Sequence, residues 1–356
     1  MSFKTTAIAA AAALASLGAY AQQSSQVSFG GFMDASVRSV KNSAGSMTSL
    51  SSGNNTTSRL VVRGTEDLGG GWKAGFWLEG TMFADTGTTL SQFWDRQSNV
   101  RLSGPWGEVR LGRDWVPSFL SYAAADVMGY VGVGGVGSLM TPASTTAMSR
   151  AFGAVPSTLS RSNNAVEYWL PPNLGGFYGQ VMAAPGEGAN ATGNFKLYGA
   201  RLGYRTGGLD ISGHMTSTRI DASGSNWSQS GVTGLYATAG GIDLRAAWVD
   251  TKYMSSKQTT LFLGVRVPMG PHEFKASYGR ADQKGTNAAG VSIGDNDAQL
   301  YALSYVYNLS KRSALYANAA TLRNKGAANF SIAGGPAGAR PGTNHDGYEV
   351  GMRHAF

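Results

Sequence analysis

No set of side chains in this sequence is spaced for bond-making chemistry. His214, His272, His345 and His354 are scattered, and none stands at ligand spacing from another histidine or a carboxylate. No serine sits in a G-x-S-x-G elbow. Gly132-Val-Gly-Gly-Val-Gly137 has the letters of a dinucleotide loop, but no strand precedes it, no helix follows it, and no acid lies about 20 positions on. It reads as loop glycine. With no cysteine, disulfides and thiolate metal sites are excluded. What does follow a pattern is arginine. In Arg59-Leu-Val-Val-Arg63 the two arginines share one face of an extended chain, and Leu60 and Val62 share the other. The same parity aligns Arg201 with Arg205, and places Arg96, Arg161, Arg245 and Arg266 on the polar side of their segments, with Glu79 and Glu167 available as partners. The chemistry open to such a set is electrostatic: guanidinium groups along a wet wall attract anions without reacting with them.

These arginines need strands to hold them. Past residue 26 the period is two, as in Val27 to Val37, Gly71 to Glu79, Leu261 to Val267 and Phe274 to Tyr278. Short turns bearing Gly or Pro occur at 66–71, 103–107, 171–176, 205–208, 239–241, 268–271 and 308–313. Longer polar stretches lie at 39–57, 84–92, 115–160, 184–194, 219–230, 251–257, 282–297 and 324–345. The two kinds alternate, so eight long and seven short connections join sixteen strands. A transmembrane barrel sorts its connections in this way, with short periplasmic turns and long outer loops. Closure satisfies every backbone polar group inside lipid. It also explains why only 42% of the residues are hydrophobic, since every second residue faces water.

The N-terminus supplies the compartment. Lys4 precedes an Ala-rich apolar run over 7–17, and Ala19-Tyr-Ala21 fits a small-x-small cleavage site. The expected organisation is a cleaved signal peptide over 1–21 and one barrel domain over 22–356. Export makes nucleic acid an unsuitable partner for the net charge of +8. Small anionic solutes fit that charge instead.

In order along the chain, Ser58 to Gly71, Phe93-Trp-Asp-Arg-Gln97, Gly107 to Arg113, Ser160 to Asn164, Tyr305 to Arg312 and Arg353-His-Ala-Phe356 resemble the Gram-negative porins of neisserial and Burkholderia–Comamonas type. The resemblance implies an outer-membrane, homotrimeric general-diffusion porin: an all-β, 16-stranded antiparallel transmembrane β-barrel with a long third loop folded into the lumen. It also implies no enzymatic activity and no cofactor. Arg63, Arg96 and Arg161, with Arg59 as a fourth, match the family's basic cluster at the pore constriction. Asp114 and Asp126 are the acids expected on the facing loop side. Arg201, Arg205, Arg245, Arg266, Glu79 and Glu167 are expected to line the lumen elsewhere. A terminal aromatic such as Phe356 is, in this family, the tag read by the outer-membrane assembly machinery. Two departures stand out. Asn99 and Arg101 replace an apolar residue and a glycine, and the segment Trp115 to Ser160 carries one acid, Asp126. The sequence leaves open a porin selective for organic or inorganic anions; a barrel enzyme would need a nucleophile beside a histidine, which no neighbour in sequence supplies.

Overall fold

The computed structural model describes residues 25–141, 145–153, 157–186, 195–220 and 224–356. The expected signal segment lies outside them. Seventeen strands form one closed antiparallel sheet: β1 (Gln26–Asn42), β2 (Gly45–Ser52), β3 (Arg59–Gly69), β4 (Trp72–Thr81), β5 (Gln97–Gly104), β6 (Gly107–Trp115), β7 (Arg161–Trp169), β8 (Phe177–Ala184), β9 (Leu197–Thr206), β10 (Leu209–Arg219), β11 (Asn226–Ala237), β12 (Asp243–Tyr253), β13 (Ser256–Met269), β14 (His272–Gly285), β15 (Ala298–Asn308), β16 (Ser313–Asn324) and β17 (His345–Ala355). They occupy sixteen positions around the barrel, because β2 and β3 both pair with β1 and together form one interrupted strand. The interruption at 53–58 has a visible cause. The Asp34 carboxylate, inside the barrel on β1, accepts hydrogen bonds from the backbone N–H groups of Asn54, Asn55 and Thr56 at 3.1, 2.9 and 2.8 Å. The chain is drawn inward there instead of continuing the ladder.

Closure is made by β1 against β17, from Phe32 opposite Ala355 to Lys41 opposite Asp346. All seven short connections fall where the sequence places them. Two of the long ones do not. The stretch 39–57 is largely the β1–β2 hairpin, and the stretch 251–257 reduces to Met254 and Ser255 between β12 and β13. Polar residues there extend strands beyond the hydrocarbon, where both faces meet water and alternation no longer marks a strand.

The outward face is the apolar one. Val37, Val100, Val181, Leu202, Met215, Val232, Leu263, Leu303 and Val350 are all more than 40% exposed, as a lipid-facing band must be in one isolated chain. Aromatic pairs border it beside the short turns: Trp72 with Trp106 at 5.5 Å, Phe177 with Tyr204 at 4.8 Å, Phe274 with Tyr305 at 5.2 Å. A surface groove of about 1070 Å³ also lies along this outer face, bordered by Ile211, Leu244, Leu263, Leu303 and Tyr348. Among the described residues no helix is long and apolar enough to cross a membrane.

The buried apolar residues lie on the other side of the sheet, where the segment between β6 and β7 packs. Its first helix, α1 (Pro117–Ala123), lies against β8–β12; a 3-10 turn (Val136–Leu139) lies against β14 and β15; and α2 (Thr146–Phe152) lies against β11–β13. Phe262 and Trp227, inward on β13 and β11, are buried against this segment with Tyr122, Met148 and Phe152. Glycine permits the close approach. A Cβ at Gly264 would stand 2.8 Å from Val127, and one at Gly279 would stand 2.7 Å from Leu139.

Candidate functional site

The segment between β6 and β7 is bolted to the inner wall by polar contacts as well as apolar ones. Ser121 Oγ lies 2.6 Å from Ser212 Oγ, and Thr216 Oγ1 donates to Ser118 Oγ at 2.8 Å. Gln258 Nε2 donates to the Leu139 carbonyl at 2.8 Å, and Arg245 Nη1 to the Ala124 carbonyl at 2.7 Å. At the far end Val133 N–H donates to Glu349 Oε1 at 3.2 Å. The other Glu349 oxygen accepts from Arg38 Nε at 3.0 Å, and Arg38 Nη1 reaches the Ala333 carbonyl at 3.2 Å. The last long connection joins in here: Phe330 and Ile332 are buried with Val133 against inward residues of β1 and β14–β16. Two inward-folded segments therefore cover the β8–β17 side.

The opposite side, β1 and β3–β7, carries the arginines. Glu79 on β4 collects Arg96 Nε at 2.5 Å and Arg59 Nε at 3.3 Å on one oxygen, and Trp77 Nε1 at 3.0 Å on the other. Arg96 and Arg161 both lie over Trp115, at 5.1 and 3.8 Å from its ring. Arg113 belongs to the same group: it donates to the Asp95 carbonyl at 2.5 Å and to Asn163 at 2.6 Å. The Asp95 carboxylate is held by Thr81, whose N–H and hydroxyl it accepts at 2.6 and 2.9 Å. Arg59, Arg96, Arg113 and Arg161 thus gather around Glu79 and Asp95, four cations to two acids.

Three of the four expected cluster residues, Arg59, Arg96 and Arg161, meet here. Arg63 stands apart, nearer the short turns, donating to Ser28 Oγ at 3.1 Å. The route by which Arg96 arrives differs from its expected parity. Gln97, Asn99 and Arg101 are the inward row of β5, and Arg96 is the residue just before it, brought to Glu79 by its own N–H to the Glu79 carbonyl at 3.1 Å. A register shift between Gly112 and Asp114, opposite Ser162 to Ala165, likewise breaks the simple parity that leads to Arg161.

Neither expected acid stands across from the cluster. Asp114 ends β6 on the arginine side, buried under Gln97 at 2.6 Å, Asn99 at 3.0 Å and Arg110 at 3.2 Å. Asp126 is enclosed by its own segment, accepting the N–H groups of Met128, Tyr130 and Val136 at 2.8, 3.0 and 2.9 Å. Burial pushes its carboxyl above the usual range, and these three bonds pull it part of the way back. The carboxylate serves the turn and not the pore. Of the remaining residues, Arg205 pairs with Asp210 at 2.6 Å, Arg245 with Asp243 at 2.5 Å and Arg266 with Glu273 at 2.6 Å. Arg201 donates to Tyr178 OH at 3.1 Å, and Glu167 accepts from Trp169 Nε1 at 2.6 Å. Phe356 lies at the seam, exchanging backbone hydrogen bonds with Gly31 at 3.1 and 3.2 Å, its ring 6.2 Å from Phe29.

Sequence reasoning passes over Arg38, Arg110 and Arg113, and notes Arg101 only as a departure from the family pattern. Arg101 and Arg110 are directly opposite on β5 and β6, and the outward Val100, Leu102 and Leu111 show their parity. Arg38 and Glu349 are 311 positions apart, and only closure of the barrel brings them together. Among the described residues no group of three or more potential metal ligands occurs.

The model of the Gram-negative porin family matches residues 6–327. The chain is 36% identical to the outer membrane porin protein 32 of Delftia acidovorans, over 98% of each chain. Among solved structures it is similar to the anion-selective porin from Comamonas acidovorans, with a TM-score of 0.79 and 34% identity over 94% of this chain and all of the other. The Vibrio cholerae outer membrane protein OmpT, solved in a trimer form, shares the fold at a TM-score of 0.64 and 13% identity, over 94% of this chain and all of that one.

Proposed function

The chain belongs to the Gram-negative porin family and forms a passive, general-diffusion channel of the outer membrane, and on that premise we propose that it favours anions and works as a homotrimer. One observation carries the preference: four arginines, Arg59, Arg96, Arg113 and Arg161, converge around two acids, Glu79 and Asp95. The covering segment offers no acid in return, because Asp126 is spent on its own backbone. In a narrow aqueous passage such an excess raises the local concentration of anions and lowers that of cations. The anion-selective Comamonas porin, at 34% identity, is consistent with this reading. Small hydrophilic solutes pass down their gradients between the arginine side and the covering segment, which narrows the lumen.

The measurement is a reversal potential across a planar bilayer under a potassium chloride gradient. The sign expected is that of chloride preference; a clear potassium preference overturns the proposal. A heat-modifiable band of trimer size on a semi-native gel is the expected mark of assembly. We also assign Phe356 to recognition by the assembly machinery, given its exposed ring at the closing seam. Deleting it is expected to cut the amount of barrel inserted in cells severalfold, and unchanged insertion refutes the assignment.

A further inference from the structure

The arginine side of the lumen carries more indole and phenol than an ion channel needs. Trp115, Trp77 and Trp169 sit there and Tyr178 sits beside it on β8, each half-buried, and each has a guanidinium over its ring. Arg63 and Arg101 share Trp77, at 5.1 and 4.9 Å. Arg110 lies 3.9 Å from the ring centre of Trp169, and Arg201 and Arg205 lie 4.8 and 5.2 Å from that of Tyr178. The stations fall on neighbouring strands: Arg63 is opposite Trp77 between β3 and β4, Arg101 opposite Arg110 between β5 and β6, and Gln180 opposite both Trp169 and Arg201. They descend from Trp115, at the outer end of β6, to Arg205, beside the short turn after β9.

For inorganic anions this arrangement is counterproductive. The face of an aromatic ring is its negative side, so it repels chloride and partly offsets the guanidinium above it. For a planar organic anion it is useful at both ends. A stacked guanidinium keeps its N–H edge for a carboxylate and its free face for a ring, and the next indole offers a second ring surface. Two of these arginines bond neutral partners: Arg63 donates to Ser28 and Arg201 to Tyr178 OH, whereas Arg101 bonds Asn99 and stands 4.0 Å from Asp114.

We propose that this row of arginine–aromatic stacks is a track for aromatic monocarboxylates, giving the channel a preference for benzoate-like anions over aliphatic carboxylates of the same size. The inference rests on the anion-favouring reading above. The test separates the two by comparing sodium benzoate with sodium cyclohexanecarboxylate, which has the same charge and similar bulk but no π face. With the full-length channel in a planar bilayer carrying a chloride current, each salt is titrated as a blocker. Benzoate is expected to half-block at a concentration roughly three- to tenfold lower, the range of one or two exposed cation–π contacts. Trp169→Leu, which touches no member of the Arg59–Arg96–Arg161 cluster, should narrow the gap between the two anions while leaving the chloride reversal potential in place, and Trp77→Leu should bring the two anions together. If Trp77→Leu fails to insert, Trp169→Leu alone decides. Equal block by both anions in the unaltered channel overturns the track and leaves anion preference standing, as does a Trp169→Leu channel with the gap undiminished or a Trp77→Leu channel that still discriminates. Absence of chloride preference overturns the underlying reading itself.

Discussion

A channel with glutamine at positions 59, 96 and 161 is expected to lose its preference for chloride. The three guanidinium groups meet around Glu79 and Trp115, with Arg96 and Arg59 sharing one oxygen of Glu79 at 2.5 and 3.3 Å. Each unit charge about 6 Å from a permeating ion in water contributes about 0.7 kcal/mol before screening. At an ionic strength of 0.1 M screening removes roughly half of that. Three removed charges act in opposite directions on the anion and the cation, so the permeability ratio should fall roughly thirtyfold. Glu79 and Asp95 would then dominate, and the reversal potential should pass zero toward potassium. Glutamine keeps the hydrogen-bonding capacity and much of the length, so conductance should change far less than selectivity. A triple variant with an unaltered reversal potential would remove these residues from the narrow part of the pore.

Glu349→Ala should act on the covering segments and leave the selectivity cluster alone. Its carboxylate is fully buried and joins three parts of the molecule: Arg38 on β1, Val133 N–H in the segment after β6, and Asn318 on β16 at 2.8 Å. Removing one member of a buried ion pair strands the other, at a cost of about 3–5 kcal/mol. Arg38 still has Asn54 and the Ala333 carbonyl, which places the expected cost toward the lower end. The barrel ladder is untouched, so the loss should appear locally. Residues around Val133 and Phe330 should become open to protease, and single-channel records should show larger and noisier currents. Glu349→Gln, which retains both acceptor and shape, should recover part of the quiet behaviour. Wild-type protease resistance and current noise in Glu349→Ala would show that the segment is held by its apolar contacts alone.

The barrel was legible because its signal is repeated. Each strand alternates, each short turn carries Gly or Pro, and an error in one segment does not disturb the order of the others. The positions where parity misleads are the places where strands stop being regular. Arg96 stands one residue ahead of the inward row of β5, and Arg161 lies beyond a register shift. Family resemblance points to both, and they come together over Trp115 by routes that alternation does not give. The acids failed differently. Asp114 and Asp126 are correctly polar and enclosed, but what they neutralise depends on local chain path: Asp114 caps the side-chain row of β5 and β6, and Asp126 ties a turn. A single acid in a long segment gives no sign in sequence of whether it faces outward or back on itself. The Arg38–Glu349 pair was invisible for a simpler reason, since its members meet only when the first and last strands do.

The two sides of the passage are carried by different parts of the cylinder. The arginines ride on β1 and β3–β7, whereas the segment that faces them is fastened to β8–β17 through Ser212, Thr216, Arg245, Gln258 and Glu349. The segment also leaves β6 at Trp115 and returns to β7 at Arg161, beside the cations it faces, so it is a strut across the lumen held at both walls. The bore is therefore set by the length and anchoring of that strut as much as by the cylinder around it.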